Sequence, residues 1–294
     1  MSPSLLQIVV LGIVQGATEL LPVSSSAHVI IAERIMHLDP SSPEMTFLLA
    51  MLHAGTMVAV IAYFWRSWKQ SFFPGAPQFA SAVGRLVLAT AVTAALYLVL
   101  EFLLRRTLLR DRPGADLEVL FSNLPLIALA LTAGGILIVV AGYRIRSIGA
   151  APLGPGAAGR SVSAAEALAI GLAQGFCLPF RGLSRSGATI STGMLAGVPR
   201  RMCEEFSFAL GVVLTPPLIV RELNRFYKAR AEHGAVDIAS LIMPGLAGMV
   251  LSFVAGLLAL RWLSGWLEKG KWHYFGIYCF VAAAGVCALA GMGY

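Results

Sequence analysis

Gly12-Ile13-Val14-Gln15-Gly16, running on to Pro22-Val23-Ser24-Ser25-Ser26, has a second version later in the same chain: Gly171-Leu172-Ala173-Gln174-Gly175, running on to Gly182-Leu183-Ser184-Arg185-Ser186. Ten positions separate Gln15 from Ser25, and ten separate Gln174 from Ser184. In each version a short apolar helix meets a Pro- or Gly-containing break, a serine cluster and another short apolar run. Interrupted apolar segments at matching places in two halves point to a polar site at membrane depth in an internally repeated protein. Two ordinary helix-loop-helix turns are the plainer alternative. Irregular backbone at membrane depth requires a polar cavity, and both versions supply the polar residues for one, which favours re-entrant helix pairs.

The rest of the chain agrees with a bilayer. Of 294 residues, 57% are hydrophobic and 13% charged, against roughly 25% charged in an ordinary soluble domain. Crossing a bilayer takes about 20 apolar residues of helix. Suitable runs recur at Met45 to Trp65, Val83 to Leu104, Leu124 to Tyr143, Phe206 to Val220, Ile238 to Leu263 and Tyr274 to Met292. The expected fold is an all-α integral membrane protein, a polytopic helical bundle forming one membrane domain over 1–294. The Gly-, Ala-, Pro- and Ser-rich stretch Arg144 to Ser163 divides it into repeats at 1–150 and 160–294. Leu5 to Leu21 lacks a basic leader and carries Gln15 and Glu19, so it reads as a retained segment and not a signal peptide.

The net charge of +7 comes from Lys and Arg scattered over the inter-helix connections, among them Arg66 with Lys69, Arg144 with Arg146, and Arg221 to Arg230. That scatter favours anionic lipid headgroups over nucleic acid, and it yields no orientation from the positive-inside rule. Cys177, Cys203, Cys279 and Cys287 lack metal or disulfide spacing and are expected to pack as small apolar residues.

Gln15 and Glu19 are four apart and share one helix face. A carboxylate in an apolar helix either snorkels to water or serves a cavity, a cation or a proton. Ser24, Ser25, Ser26 and His28 follow directly. Each serine alone is an ordinary helix cap. A hydroxyl beside an imidazole and a carboxylate is also the equipment of nucleophilic attack with acid-base help, with Ser25 as nucleophile and His28 as its base, or with His28 or a water attacking. His53 and His273 read as core histidines.

In the second version, small residues let backbone N–H groups approach an anion, and the following helix presents its positive end. Arg185 adds a planar fork for phosphate oxygens. The alternative for Arg185 is a structural ion pair. The Lys-Ser or Lys-Thr ending of a nucleotide-binding loop is absent. Arg185 with Ser184, Ser186, Thr189 and loop amides is expected to hold a phosphate group. Gln15 and Glu19 are expected to hold a bridging Mg²⁺ or Ca²⁺.

At these residues the sequence resembles the undecaprenyl-diphosphate phosphatase family, known also for bacitracin resistance. One family motif is matched by Gln15, Glu19 and Leu21 through His28, the other from Gly182 through Ser184, Arg185 and Ser186 to Thr189. Looser similarity lies in His53-Ala54-Gly55-Thr56 and Glu204-Glu205-Phe206-Ser207-Phe208. The resemblance implies hydrolysis of a C55 isoprenoid diphosphate to the monophosphate with a divalent cation, in the bacterial inner membrane. It also implies inverted repeats, two re-entrant helix pairs and a homodimer. Ser24, Ser26, Arg181 and Gly182 join the expected substrate contacts, Arg181 either as a second phosphate contact or, in the alternative, pointing to the interface with no catalytic role. Arg181 stands where the family usually has Pro, Ala27 stands where it commonly has Gly, and the stretch from Gln174 to Ser184 is one residue longer than usual. A transporter or flippase of isoprenoid phosphate lipids is the competing class, because inverted repeats with broken helices suit alternating access.

Overall fold

The computed structural model describes residues 3–107, 123–148, 161–233 and 238–292. Among these residues every regular element is an α-helix: α1 Leu5–Leu20, α2 Ser25–Ile35, α3 Pro43–Phe72, α4 Ala76–Thr107, α5 Leu124–Ile148, α6 Ala164–Cys177, α7 Arg185–Leu195, α8 Arg200–His233, α9 Ile238–Glu268 and α10 His273–Gly291. Six of them, α3, α4, α5, α8, α9 and α10, are long and apolar enough to span a membrane. They hold the six apolar runs read from the sequence. The central part of the Gly- and Pro-rich linker, 149–160, lies outside the described residues.

The helices outrun the apolar runs. α8 covers 34 residues where only Phe206 to Val220 is continuously apolar. Arg221 to Arg230 therefore belongs to α8, and Arg66 with Lys69 to α3, rather than to connections. Charged side chains at a membrane helix end reach water without interrupting the backbone ladder. Pro216 and Pro217 lie inside α8, tolerated where neighbouring groups satisfy the freed carbonyls.

α1 and α6 are different in kind. With 16 and 14 residues they extend about 24 and 21 Å at 1.5 Å per residue, short of a hydrocarbon core of about 30 Å. Each starts with a serine capping box, Ser4 with Gln7 and Ser163 with Glu166. Each is followed by a turn and an 11-residue helix, α2 or α7.

The chain forms two compact units. The first takes Met1–Leu21, Ser25–Trp65 and Gly211–Leu263; the second takes Pro22–Ser24, Arg66–Leu210 and Ser264–Tyr294. In the first, Ile8, Leu11, Val29, Met45, Leu48 and Leu52 form a buried core, and the Ser252 hydroxyl donates to the Leu52 carbonyl at 2.9 Å, tying α9 to α3. In the second, the Thr93 hydroxyl donates to the carbonyls of Ala89 and Gly171, at 2.7 and 3.0 Å, tying α4 to α6.

Helices in lipid gain little from burying apolar surface against each other and depend on close backbone approach. α1 meets α9 at Gly16, where a Cβ would lie 2.4 Å from the Ser252 carbonyl oxygen and 2.8 Å from Ala255 Cβ. α6 meets α4 at Gly175, where a Cβ would lie 2.8 Å from the Thr93 carbonyl oxygen and 3.0 Å from Leu96 Cβ. One offset of 159 positions relates Gly16 to Gly175, Thr93 to Ser252 and Leu96 to Ala255. The same helix contact is thus built twice, once within each unit.

Candidate active site

The first set of expected residues gathers where α1 ends. Leu21 leaves helical backbone (φ −78°, ψ 152°) while its N–H still bonds the Ala17 carbonyl, and Pro22 cannot continue the ladder. Ser24 then takes the left-handed conformation at φ 68°, which costs a non-glycine residue roughly 1–3 kcal/mol, and α2 begins at Ser25. Gln15 Nε2 donates to Glu19 Oε2 at 3.2 Å. The Ser25 hydroxyl donates to the same oxygen at 2.5 Å. Gln15 and Ser24 are buried, whereas Glu19, Ser25, Ser26 and His28 are half-buried.

That hydrogen bond gives Ser25 a partner other than the expected one. The Ser25 hydroxyl donates to Glu19 and not to His28. The Cα–Cβ bonds of a helix tilt toward its N-terminus, so the first side chain of α2 leans back over the end of α1. His28 lies one turn farther along the same face. The carboxylate is the acceptor in contact with the hydroxyl.

The second set surrounds the N-terminus of α7. Phe180 N–H bonds the Cys177 carbonyl at 3.1 Å and Leu183 N–H bonds that of Phe180 at 3.2 Å, closing the turn. Gly182 has φ 105°, and a Cβ there would meet the Ile127 carbonyl oxygen at 2.5 Å, so backbone and space both require glycine. Arg181 is half-buried just before it. Ser184 caps α7, accepting from Gly187 N–H at 3.1 Å, and its oxygen lies 3.3 Å from that of Ser186. Eight of the eleven α7 residues are buried, but Arg185, the first of them, is half-buried. Gly187 packs where a Cβ would meet Ile138 Cδ1 at 2.9 Å and Pro22 Cβ at 3.2 Å.

Helix starts set the correspondence between the two sets one residue away from the ten-position count. Ser24 matches Ser184, and Ser25 matches Arg185, because α2 and α7 begin at Ser25 and Arg185. The hydroxyl and the guanidinium occupy equivalent first positions. Thr189 departs from the expected substrate contact: it is wholly buried, and its hydroxyl bonds the Arg185 carbonyl at 2.8 Å and lies 2.6 Å from Ser207 Oγ.

The family model described as bacitracin resistance protein BacA matches residues 8–285. The chain belongs to the bacitracin resistance protein BacA family. An undecaprenyl-diphosphatase 2 of Acinetobacter baylyi is 50% identical over 289 residues, 97% of this chain and 98% of the relative. An undecaprenyl-diphosphatase 2 of Burkholderia ambifaria is 33% identical over 95% of this chain and 94% of its own length. An undecaprenyl-diphosphatase of Korarchaeum cryptofilum is 30% identical over 96% and 98%.

In this BacA-family chain the sequence reading passed over the polar attachments of α8. Glu205 is buried, and its carboxylate accepts from Ser67, from Ser71 at 3.0 Å and from Arg201 Nε at 3.0 Å. Glu204, also buried, accepts from Ser264. The signal was present as two adjacent carboxylates within an apolar stretch. His53 is half-buried, with Nδ1 2.8 Å from the Leu49 carbonyl oxygen, and so is not a core residue; His273 is buried and stacks on Tyr143. Three cysteines are buried, but Cys287 is exposed and so is not a packing residue within the chain.

No group of three or more His, Cys, Asp or Glu side chains converges among the described residues. Beside Ser25 stands the Glu19 carboxylate, which also accepts from the amide nitrogen of Gln15. Mg²⁺ typically keeps several waters and takes one or two carboxylates together with substrate phosphates. This donor set suits an ion shared with a diphosphate and does not suit an all-protein cage.

Proposed function

We propose that this multi-pass membrane protein is an undecaprenyl-diphosphatase, hydrolysing the C55 diphosphate lipid to the monophosphate and inorganic phosphate and so recycling a cell-wall lipid carrier in the bacterial inner membrane. The observation that carries this reading is full-length similarity, 50% over 97% of the chain, to a protein so named, in a chain whose two motif regions bear the matching chemistry.

In the proposed reaction the Ser25 oxygen attacks the terminal phosphorus and its proton passes to Glu19. The phosphoanhydride bond breaks, and the polyprenyl monophosphate leaves with the bridging oxygen. Water then cleaves the phosphoryl–Ser25 bond, releasing phosphate, with His28 and Glu19 as the groups that handle its proton. Arg185 neutralises phosphate charge as a planar, permanently charged fork. Ser184 and Ser186, the Gly182 turn with Arg181, and Ser24 and Ser26 are the remaining proposed phosphate contacts. Gln15 and Glu19 would hold a Mg²⁺ or Ca²⁺ ion, which would offset diphosphate charge.

The 159-position correspondence supports internal repeats, whose inversion rests on the family resemblance, and the short reach of α1 and α6 supports two re-entrant pairs. A homodimer rests on the family resemblance alone, and light scattering in detergent tests it.

The experiment is phosphate release from undecaprenyl diphosphate by the detergent-solubilised chain. Release that stops with a chelator and returns with Mg²⁺ or Ca²⁺ is the expected result. Movement of the lipid between leaflets without release would instead establish the transporter.

A further inference from the structure

We propose that Ser207 is a positioning residue for Arg185, acting through Thr189; the proposal rests on the reading of Arg185 as the phosphate clamp. Thr189 carries one hydroxyl proton. Its oxygen lies 2.8 Å from the Arg185 carbonyl oxygen, which can only accept, and 3.4 Å from that of Ser186. Either hydroxyl could donate across the 2.6 Å contact; we assign the Thr189 proton to α7's own first turn, which makes Ser207 the donor to Thr189. The order of donation is Ser207 to Thr189 to the Arg185 carbonyl.

Both hydroxyls are wholly shielded, at 0% exposure, so neither can replace its partner with solvent. The relay ends on the backbone of the residue whose guanidinium is the proposed clamp. It thereby restrains the direction in which that side chain leaves α7.

The donor end is itself anchored. Two residues before Ser207, the Glu205 carbonyl accepts from Trp68 Nε1 at 3.2 Å, and its carboxylate accepts from Ser67, Ser71 and Arg201. This stretch of α8 is held to the end of α3 on one side while Ser207 reaches α7 on the other. A third attachment, Trp272 Nε1 to Ser191 Oγ at 2.9 Å, fixes the middle of α7. Ser207 is distinct from that attachment because, through Thr189, it reaches the Arg185 carbonyl at the start of α7.

The test is a double-mutant cycle read as the affinity of inorganic pyrophosphate, by titration calorimetry on the detergent-solubilised full chain with Mg²⁺ present. Ser207→Ala should weaken pyrophosphate about five- to tenfold, the loss of one buried neutral hydrogen bond. In an Arg185→Lys background the same change should cost nothing further, because its effect passes through the guanidinium. A purely structural serine would lower the melting temperature and contribute the same factor in both backgrounds, and that additivity would overturn the proposal. Should Ser207→Ala fail to fold, the pair at the next position decides: Thr189→Ser keeps the relay and the affinity, and Thr189→Val loses both. Equal affinity for the pair is the refuting outcome. Phosphate release is measured on the same preparations. A parent chain that binds pyrophosphate but releases no phosphate refutes the enzymatic reading and leaves the relay standing, whereas a parent that binds no pyrophosphate overturns the relay with the clamp.

Discussion

Replacing Gly16 by Ala tests whether the end of α1 is positioned by its contact with α9. The added Cβ would lie 2.4 Å from the Ser252 carbonyl oxygen and 2.8 Å from Ala255 Cβ. Ordinary carbon–oxygen contact begins near 3.4 Å, so α1 must withdraw by about 1 Å, since neither obstacle is the mobile tip of a side chain. Overpacking of this kind costs about 1–3 kcal/mol. Glu19 lies three residues on, in the next turn, and moves with the helix; a misplacement of about 1 Å at a reacting group costs on the order of 100-fold in rate. The expected result is a lowered melting temperature together with phosphate release reduced by one to two orders of magnitude. Gly175→Ala meets Thr93 at 2.8 Å and should be milder. Gly285→Ala meets nothing within 4 Å and serves as the neutral control. Turnover and melting of Gly16→Ala indistinguishable from that control would refute the reasoning.

Ser25→Ala should reduce turnover by orders of magnitude while pyrophosphate still binds, and near-normal turnover would reject Ser25 as nucleophile. Glu19→Gln keeps the shape of the hydrogen-bonded group but removes the proton acceptor, so its turnover should fall about 100-fold or more; His28→Ala exceeding that loss would make His28 the base. Arg185→Ala should abolish phosphate release and pyrophosphate binding together, and a variant retaining most of either would sink the clamp. Gly182→Ala faces both a forbidden φ and the Ile127 carbonyl, so it should lose activity, read by the same assay against a purified, folded sample.

Much of the architecture was legible because a bilayer leaves the backbone little choice. Apolar runs of sufficient length must be helical, and the six runs appear as six spans. The breaks at Pro22 and Gly182 were legible for a related reason, since proline removes a donor and glycine permits φ 105°. Helix ends were less so: Arg221 to Arg230 reads as a connection by charge but continues α8, because charged side chains at a helix end can reach water. The chemistry of Glu19, Ser25, His28 and Arg185 was visible as residue types in their motifs.

Partner choice was not visible. Which segments are helical, where they break and which reactive groups stand at the breaks can be read from the residues in order, since these follow from local desolvation and backbone sterics. It took the packed helices to show that Ser25 donates its hydrogen bond to Glu19, that Thr189 is tied to Ser207, and that Gly16 rests on Ser252, 236 positions away. A hydrogen bond or a glycine contact depends on separations held to within a few tenths of an ångström. Such distances arise only when helices far apart in the chain are packed.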